Sequence, residues 1–250
     1  MKKINILCIA ISVLSLTSCK KDQEKPKVIY EDSTKTITAV NNVKIDSSQI
    51  KIADLPINME GTKYLIYPIG DVRLYEGRSK KVFGSSSDYN APVSFSISNY
   101  NRFELTGFLH DLKFQHVDST KIRSLSNELP ILIQTATFLN TISDKSKRQI
   151  LVYSIVDKDT NRDGKLNAND VKSLYISDIS GLKFTKLSPE YHELIDWNVI
   201  EATNRLYFRT IEDTNKNGEF DKNDLVHYHY VDLGDKQWKI EKYDPLENVE

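Results

Sequence analysis

Residues 159–170 (DTNRDGKLNAND) and 213–224 (DTNKNGEFDKND) place oxygen-bearing side chains at alternate positions around a glycine. In the first segment, positions 1, 3, 5, 9 and 12 are Asp159, Asn161, Asp163, Asn167 and Asp170. Position 7 offers the Lys165 carbonyl, and Gly164 stands at position 6. In the second, the corresponding side chains are Asp213, Asn215, Asn217, Asp221 and Asp224, with the Glu219 carbonyl and Gly218. A hard cation needs several oxygens converging on one point, and twelve residues supply them when these positions turn inward around a sharp bend at glycine. The chemistry expected is calcium binding at two sites. Asn, Asp and Gly also build ordinary hairpin turns, but two copies with every slot filled are hard to obtain from turn chemistry alone. Three side-chain carboxylates per loop and no bidentate glutamate predict weak sites, with dissociation constants of about 10⁻⁴ to 10⁻³ M.

The loops must be held by the segments on either side, and these read as strands. ILVYSIVD precedes the first loop and SLYISDIS follows it; RLYFRTIED and VHYHYVDLG flank the second. Short period-two patterns also mark KYLIYPIGDV, VSFSISNY and LKFQHVD. No stretch keeps a helical apolar period over the length of an average helix. The 13 tyrosines sit mostly in the strand-like runs, where their flat bodies suit a pleated surface. An all-β, antiparallel body follows. It also repeats: YSIVDKDTNRDGKLNANDVKSLYISDIS aligns with FRTIEDTNKNGEFDKNDLVHYHYVDLG, and 54 residues separate Asp159 from Asp213. A weaker upstream copy places Phe138 where Trp197 stands, and a truncated copy ends the chain as YVDLGDKQWKIEKYDPL.

Loop by loop, the segments resemble the EF-hand family, although the entering helix is missing and position 12 is Asp, as in dockerin modules. Leu166 and Phe220 fall at position 8, the apolar peg. Strand-flanked acidic loops of integrin-like propellers are the nearer parallel. The repeat itself, LYISDISGLKFTKLSPE in particular, resembles blades of TolB-like β-propeller proteins over roughly residues 110 to 246. That resemblance implies blade-like repeats with a loop inserted in each, as a small or partial propeller of about four blades, an open stack of blades, or a curled sheet. The ion is then a clasp that makes a long acidic hairpin rigid, not a sensor that opens helices.

The N-terminus carries a second kind of chemistry. MKKINILCIAISVLSLTSC has two lysines, an apolar run and small residues ending at Cys19, the layout of a secretory signal and too short to span a membrane. LTSC resembles the lipobox of bacterial lipoproteins, and SCKKD resembles Bacteroidetes lipoproteins in particular. The resemblance implies a signal peptide over 1–18, acylation (palmitate) at Cys19, and an outer-membrane anchor facing the periplasm or the cell surface. Residues 19–52 are polar and read as the lipidated N-terminus and a flexible tether, with some strand character from Lys27 onward that allows part of it to dock; 53–250 form the folded body. With Cys8 in the signal and Cys19 acylated, the body has no thiol, which excludes disulfides and Cys-ligated metals.

A net charge of −1 with interspersed signs argues against nucleic-acid binding. No serine-nucleophile elbow, phosphate loop or dinucleotide fingerprint occurs, and HELID at His192 lacks the second histidine of a zinc-protease helix. His227 and His229 lie two apart on a strand and share a face, as ligating pairs sometimes do, while the alternating tyrosines look like core. Asp111 with Asp118, or Glu193 with Asp196, are the carboxylate pairs on offer, and Trp197, Trp238 and Tyr191 the candidate glycan platform. The function expected is a non-catalytic, lipid-anchored, calcium-binding scaffold or binding module with an unidentified protein or glycan partner. The alternatives are a glycan-binding or glycan-processing lipoprotein and a periplasmic assembly partner.

Overall fold

The computed structural model describes residues 25–30, 49–73, 102–126 and 130–247. The expected signal peptide, Cys19 and the strand-like VSFSISNY lie outside them. Within the described residues the chain forms β1 (Gln49–Ala53), β2 (Ile57–Asn58), β3 (Tyr64–Arg73), β4 (Glu104–Leu109), β5 (Asp111–His116), β6 (Ile122–Ser124), β7 (Leu132–Phe138), α1 (Asn140–Ser146), β8 (Ile150–Val156), β9 (Lys172–Asp178), β10 (Thr185–Lys186), β11 (His192–Ile200), β12 (Arg205–Glu212), β13 (Leu225–Asp232) and β14 (Ile240–Tyr243). The fold is all-β and antiparallel throughout, and no sheet closes into a barrel.

Three sheets result. The first runs β1-β3-β5-β6 with β2 beside β3, the second β10-β9-β8-β7-β4, and the third β11-β12-β13-β14. The second is the middle layer, because β8 is buried along its whole length. Leu151, Tyr153 and Ile155 of β8 join Leu105, Leu112, Phe114 and Ile133 in one core, while Ile150 and Val152 join Leu174, Leu194, Leu206, Phe208 and Val231 in another. A strand covered on both faces reads as a continuous apolar run, which is why ILVYSIV lacks the alternation of its neighbours.

The internal repeat is visible in the topology. Each of the two acidic loops, 159–170 and 213–224, joins the second and third strands of a four-strand meander, β8 to β9 in one case and β12 to β13 in the other. The copies diverge before the second strand: a turn joins β11 to β12, whereas α1 separates β7 from β8. This helix falls where no sustained amphipathic period predicts one. It is a short helix that buries Ile142 and ends on Lys147 in the left-handed region at φ 61°. Its insertion shifts the first strands of the two copies out of the 54-residue register.

Candidate metal centre

The two loops fold alike, position for position. In the first, the Asp159 carboxylate accepts the Asp163 N–H at 3.1 Å and the Gly164 N–H at 2.7 Å, and Asn161 Oδ1 accepts the same Asp163 N–H at 2.9 Å. In the second, Asp213 accepts from Asn217 at 3.2 Å and Gly218 at 2.7 Å, and Asn215 Oδ1 accepts from Asn217 at 2.9 Å. Position 5 then takes the N–H of position 7, through Asp163 to Lys165 at 2.9 Å and Asn217 to Glu219 at 2.8 Å. Positions 4 and 6 supply the bend: Arg162 and Gly164 have φ of 58° and 81°, Lys216 and Gly218 of 56° and 85°.

Position 12 closes the neck of each loop. Asp170 accepts the Thr160 N–H at 2.8 Å on one oxygen and the Asn167 N–H at 3.0 Å on the other; Asp224 accepts from Thr214 at 3.2 Å and Asp221 at 2.8 Å. The shorter aspartate thus serves the backbone; Asp170 Oδ1 also accepts the Asn161 N–H at 3.2 Å and the Thr160 hydroxyl at 3.4 Å. Burial pushes the Asp170 carboxyl up, against the pull of its backbone N–H donors. Asn167 Oδ1 accepts the Asn169 N–H at 2.7 Å, and Asp221 Oδ1 the Asn223 N–H at 2.7 Å. Each loop is an oxygen-only set of side chains on a glycine bend, but its three carboxylates do not converge: among the described residues the only three ligating His, Asp or Glu side chains gathered within 4.8 Å are His192, Glu212 and His227.

A strap joins the loops, formed by residues 25–30 of the stretch whose composition suggests a tether. Lys27 N–H donates to the Asn169 carbonyl at 2.9 Å, Val28 to the Gly218 carbonyl at 3.0 Å and Ile29 to the Thr160 carbonyl at 2.8 Å. Thr160 Oγ1 returns a hydrogen bond to the Lys27 carbonyl at 2.7 Å. Val28 is buried, and the Lys27 ammonium lies 3.1 Å from the Glu219 carboxylate. Tyr30 donates to the Asp213 carboxylate, and burial followed by this acidic surrounding pushes its hydroxyl up to about 12. Both loops are therefore bonded to one six-residue segment. Only Val28 and Ile29 signal it in the sequence, because its attachment is mostly main-chain.

The histidines form a different arrangement from the one their spacing suggests. His227 meets His192 and Glu212, and the three ligand atoms lie within 4.8 Å of one another. His229 instead stacks on Phe208 at 4.9 Å and is buried with Nδ1 unpartnered; burial first, then the neighbouring His227, holds it down to about 4. The strand face carrying these histidines is the inward one. Tyr228 and Tyr230, expected as core, are half-buried on the outer face, where Tyr207 and Tyr243 join them at ring separations of 5.5 to 6.2 Å. Arg205 lies 4.3 Å over the Tyr230 ring.

The carboxylate pairs do not meet as pairs. Asp111 accepts the Leu125 N–H at 3.2 Å, and Asp118 stands 3.7 Å from His116. Glu193 binds Lys172, and Asp196 binds Arg209 through both oxygens. Trp197 and Trp238 pack on the second core, and Tyr191 stands beside Tyr30 and Lys158. No helix among the described residues is long and apolar enough to cross a membrane. Comparison with protein-family models, curated proteins and solved structures found no match.

Proposed function

We propose that this protein is a lipid-anchored, calcium-binding module of the cell envelope that acts by binding or scaffolding and not by catalysis. Cys19 carries the acyl chains, the membrane in question is the outer membrane, and the two loops each take one calcium. The observation that carries the ion reading is the bonding of both loops to the same strap: an acidic hairpin is self-repelling, and two of them fixed to one segment gain most from ions that cancel that repulsion. Supporting it further, each loop is held at both ends by neighbouring strands of one sheet, β8 and β9 for the first and β12 and β13 for the second. The three stacked sheets, two with a loop at the same topological place, also support reading the body as TolB-like blade repeats.

Calcium bound only by the folded protein raises stability by linkage, about 2.7 kcal/mol per site at a hundred times the dissociation constant. Thermal unfolding in calcium and in chelator tests this, with Asp159→Ala and Asp213→Ala each removing part of the difference. A melting curve unmoved by chelator contradicts the ion reading. For the anchor, radiolabelled palmitate should enter the wild type and not Cys19→Ser.

Glycan capture is a second reading, favoured by the outer face of the third sheet. There Tyr207, Tyr228, Tyr230 and Tyr243 lie side by side with Arg205 among them, and amphipathic rings of this kind offer an apolar face with a polar edge. Retention on immobilised oligosaccharide that Tyr207→Ala and Tyr230→Ala abolish would favour it; unchanged retention in both variants would remove it.

A further inference from the structure

We propose that His192, Glu212 and His227 form a third metal site, for a divalent transition ion of the zinc class, separate in place and in donor chemistry from the two oxygen loops. Each ligand comes from a different strand of the third sheet, β11, β12 and β13. His192 is directly opposite Glu212 in the ladder, and His227 is opposite Thr210, two residues before Glu212 on the same face. The backbone thus fixes three ligating side chains on one inward face, and sites built on strands are held more exactly than sites on loops.

The details favour an ion over a simple polar cluster. His192 Nδ1 lies 3.3 Å from Oγ1 of the fully buried Thr210, a partner of the kind that orients ligating histidines and leaves Nε2 for the metal. Its Nε2 is 3.9 Å from Glu212 Oε2, and His227 Nε2 is 2.7 Å from the same oxygen. Tetrahedral zinc with bonds near 2.1 Å sets its donors about 3.4 Å apart. The shorter gap must open by about 0.7 Å and the longer close by about 0.5 Å. The Glu212 side chain, 43% exposed, can make that adjustment while the histidines, 14% and 19% exposed, stay packed. Two imidazoles and one carboxylate also leave a fourth position open for water or an anionic group. His229 remains outside the site, stacked on Phe208.

Imidazole nitrogen selects zinc, copper or nickel and is a poor ligand for calcium, so the two classes of site should fill independently. Placement adds a consequence: Glu212 immediately precedes position 1 of the second loop, and His227 follows position 12 by three residues. An ion here would pin the base of the loop whose tip calcium holds.

The test is zinc titration calorimetry on the protein purified without a polyhistidine tag, in excess calcium, with cobalt absorption as a spectroscopic readout. The expected result is one zinc per chain, weakened at least tenfold in His192→Gln and in His227→Gln, with tetrahedral cobalt bands lost in the double variant. If the double variant does not fold, Glu212→Gln takes its place, since its side chain is the most exposed of the three. No zinc uptake by the wild type, equal uptake by variants that fold, or displacement of the zinc by calcium would overturn the proposal.

Discussion

The Gly218 carbonyl accepts the Val28 N–H at 3.0 Å, and a Cβ on Gly218 would stand 2.4 Å from the Val28 carbonyl oxygen. Glycine is thus required at this position for two reasons, a φ of 85° and the passage of the strap.

Gly164 separates these effects, because it has φ 81° but open space where its Cβ would point. Gly164→Ala should cost about 1–2 kcal/mol, the strain of a left-handed alanine. Gly218→Ala should cost roughly 2 kcal/mol more, since it also displaces Val28 from its buried position. Urea unfolding measures both, and trypsin should cut after Lys27 faster in Gly218→Ala alone. Equal costs and equal cleavage would mean that the strap contributes nothing at this contact.

At the base of the first loop, Asp157 takes three donors: Ser173 Oγ at 3.3 Å, Tyr175 OH at 2.7 Å and the Lys186 ammonium at 2.7 Å. Its side chain is 10% exposed and that of Lys186 18%. Removing one partner of a buried pair leaves the other uncompensated. Lys186 keeps Glu190 at 3.1 Å, so Asp157→Ala should cost about 3 kcal/mol, the low end for such a loss. A cost below 1 kcal/mol in urea unfolding would show that these bonds are exchanged for water without penalty.

Asp111 opens β5 in the first sheet. Burial pushes its carboxyl above the ordinary 3.8, against hydrogen bonds from Ser124 and from the Ser126, Leu125 and Leu112 amides. The folded state then holds the proton more tightly than the unfolded one, so this group's contribution to stability falls as pH rises through the window from 3.8 to the raised folded value. Carboxyl NMR titration should place Asp111 above 3.8, and Asp111→Asn should remove that part of the pH dependence. A midpoint at or below 3.8 would contradict it.

How far the residues announce this architecture differs from place to place. The loops are legible because a left-handed bend calls for glycine and its N–H groups call for Asp and Asn acceptors at fixed spacing, and β8, β9, β12 and β13 follow from the runs beside them. The face of β13 is not legible: alternation in VHYHYV says which side chains share a face, and only the packing of Val231 and His229 against Leu206 and Phe208 says which face is inward. Glu212 is silent for a related reason. It joins His192 and His227 through sheet register, across strands separated in sequence, where no linear motif can form. The strap is hidden because hydrogen bonds from main-chain N–H groups leave no trace in side-chain pattern.

Hydrogen exchange at Lys27, Val28 and Ile29 tests the central claim most directly, because their amides are bonded to Asn169 and Thr160 of the first loop and Gly218 of the second. With calcium, all three should be protected together with the loop amides of Gly164 and Gly218. A chelator should release them together, with the β8 amides unchanged. Exchange at these three positions that ignores calcium would contradict the account of two ion-held loops clasping one strap.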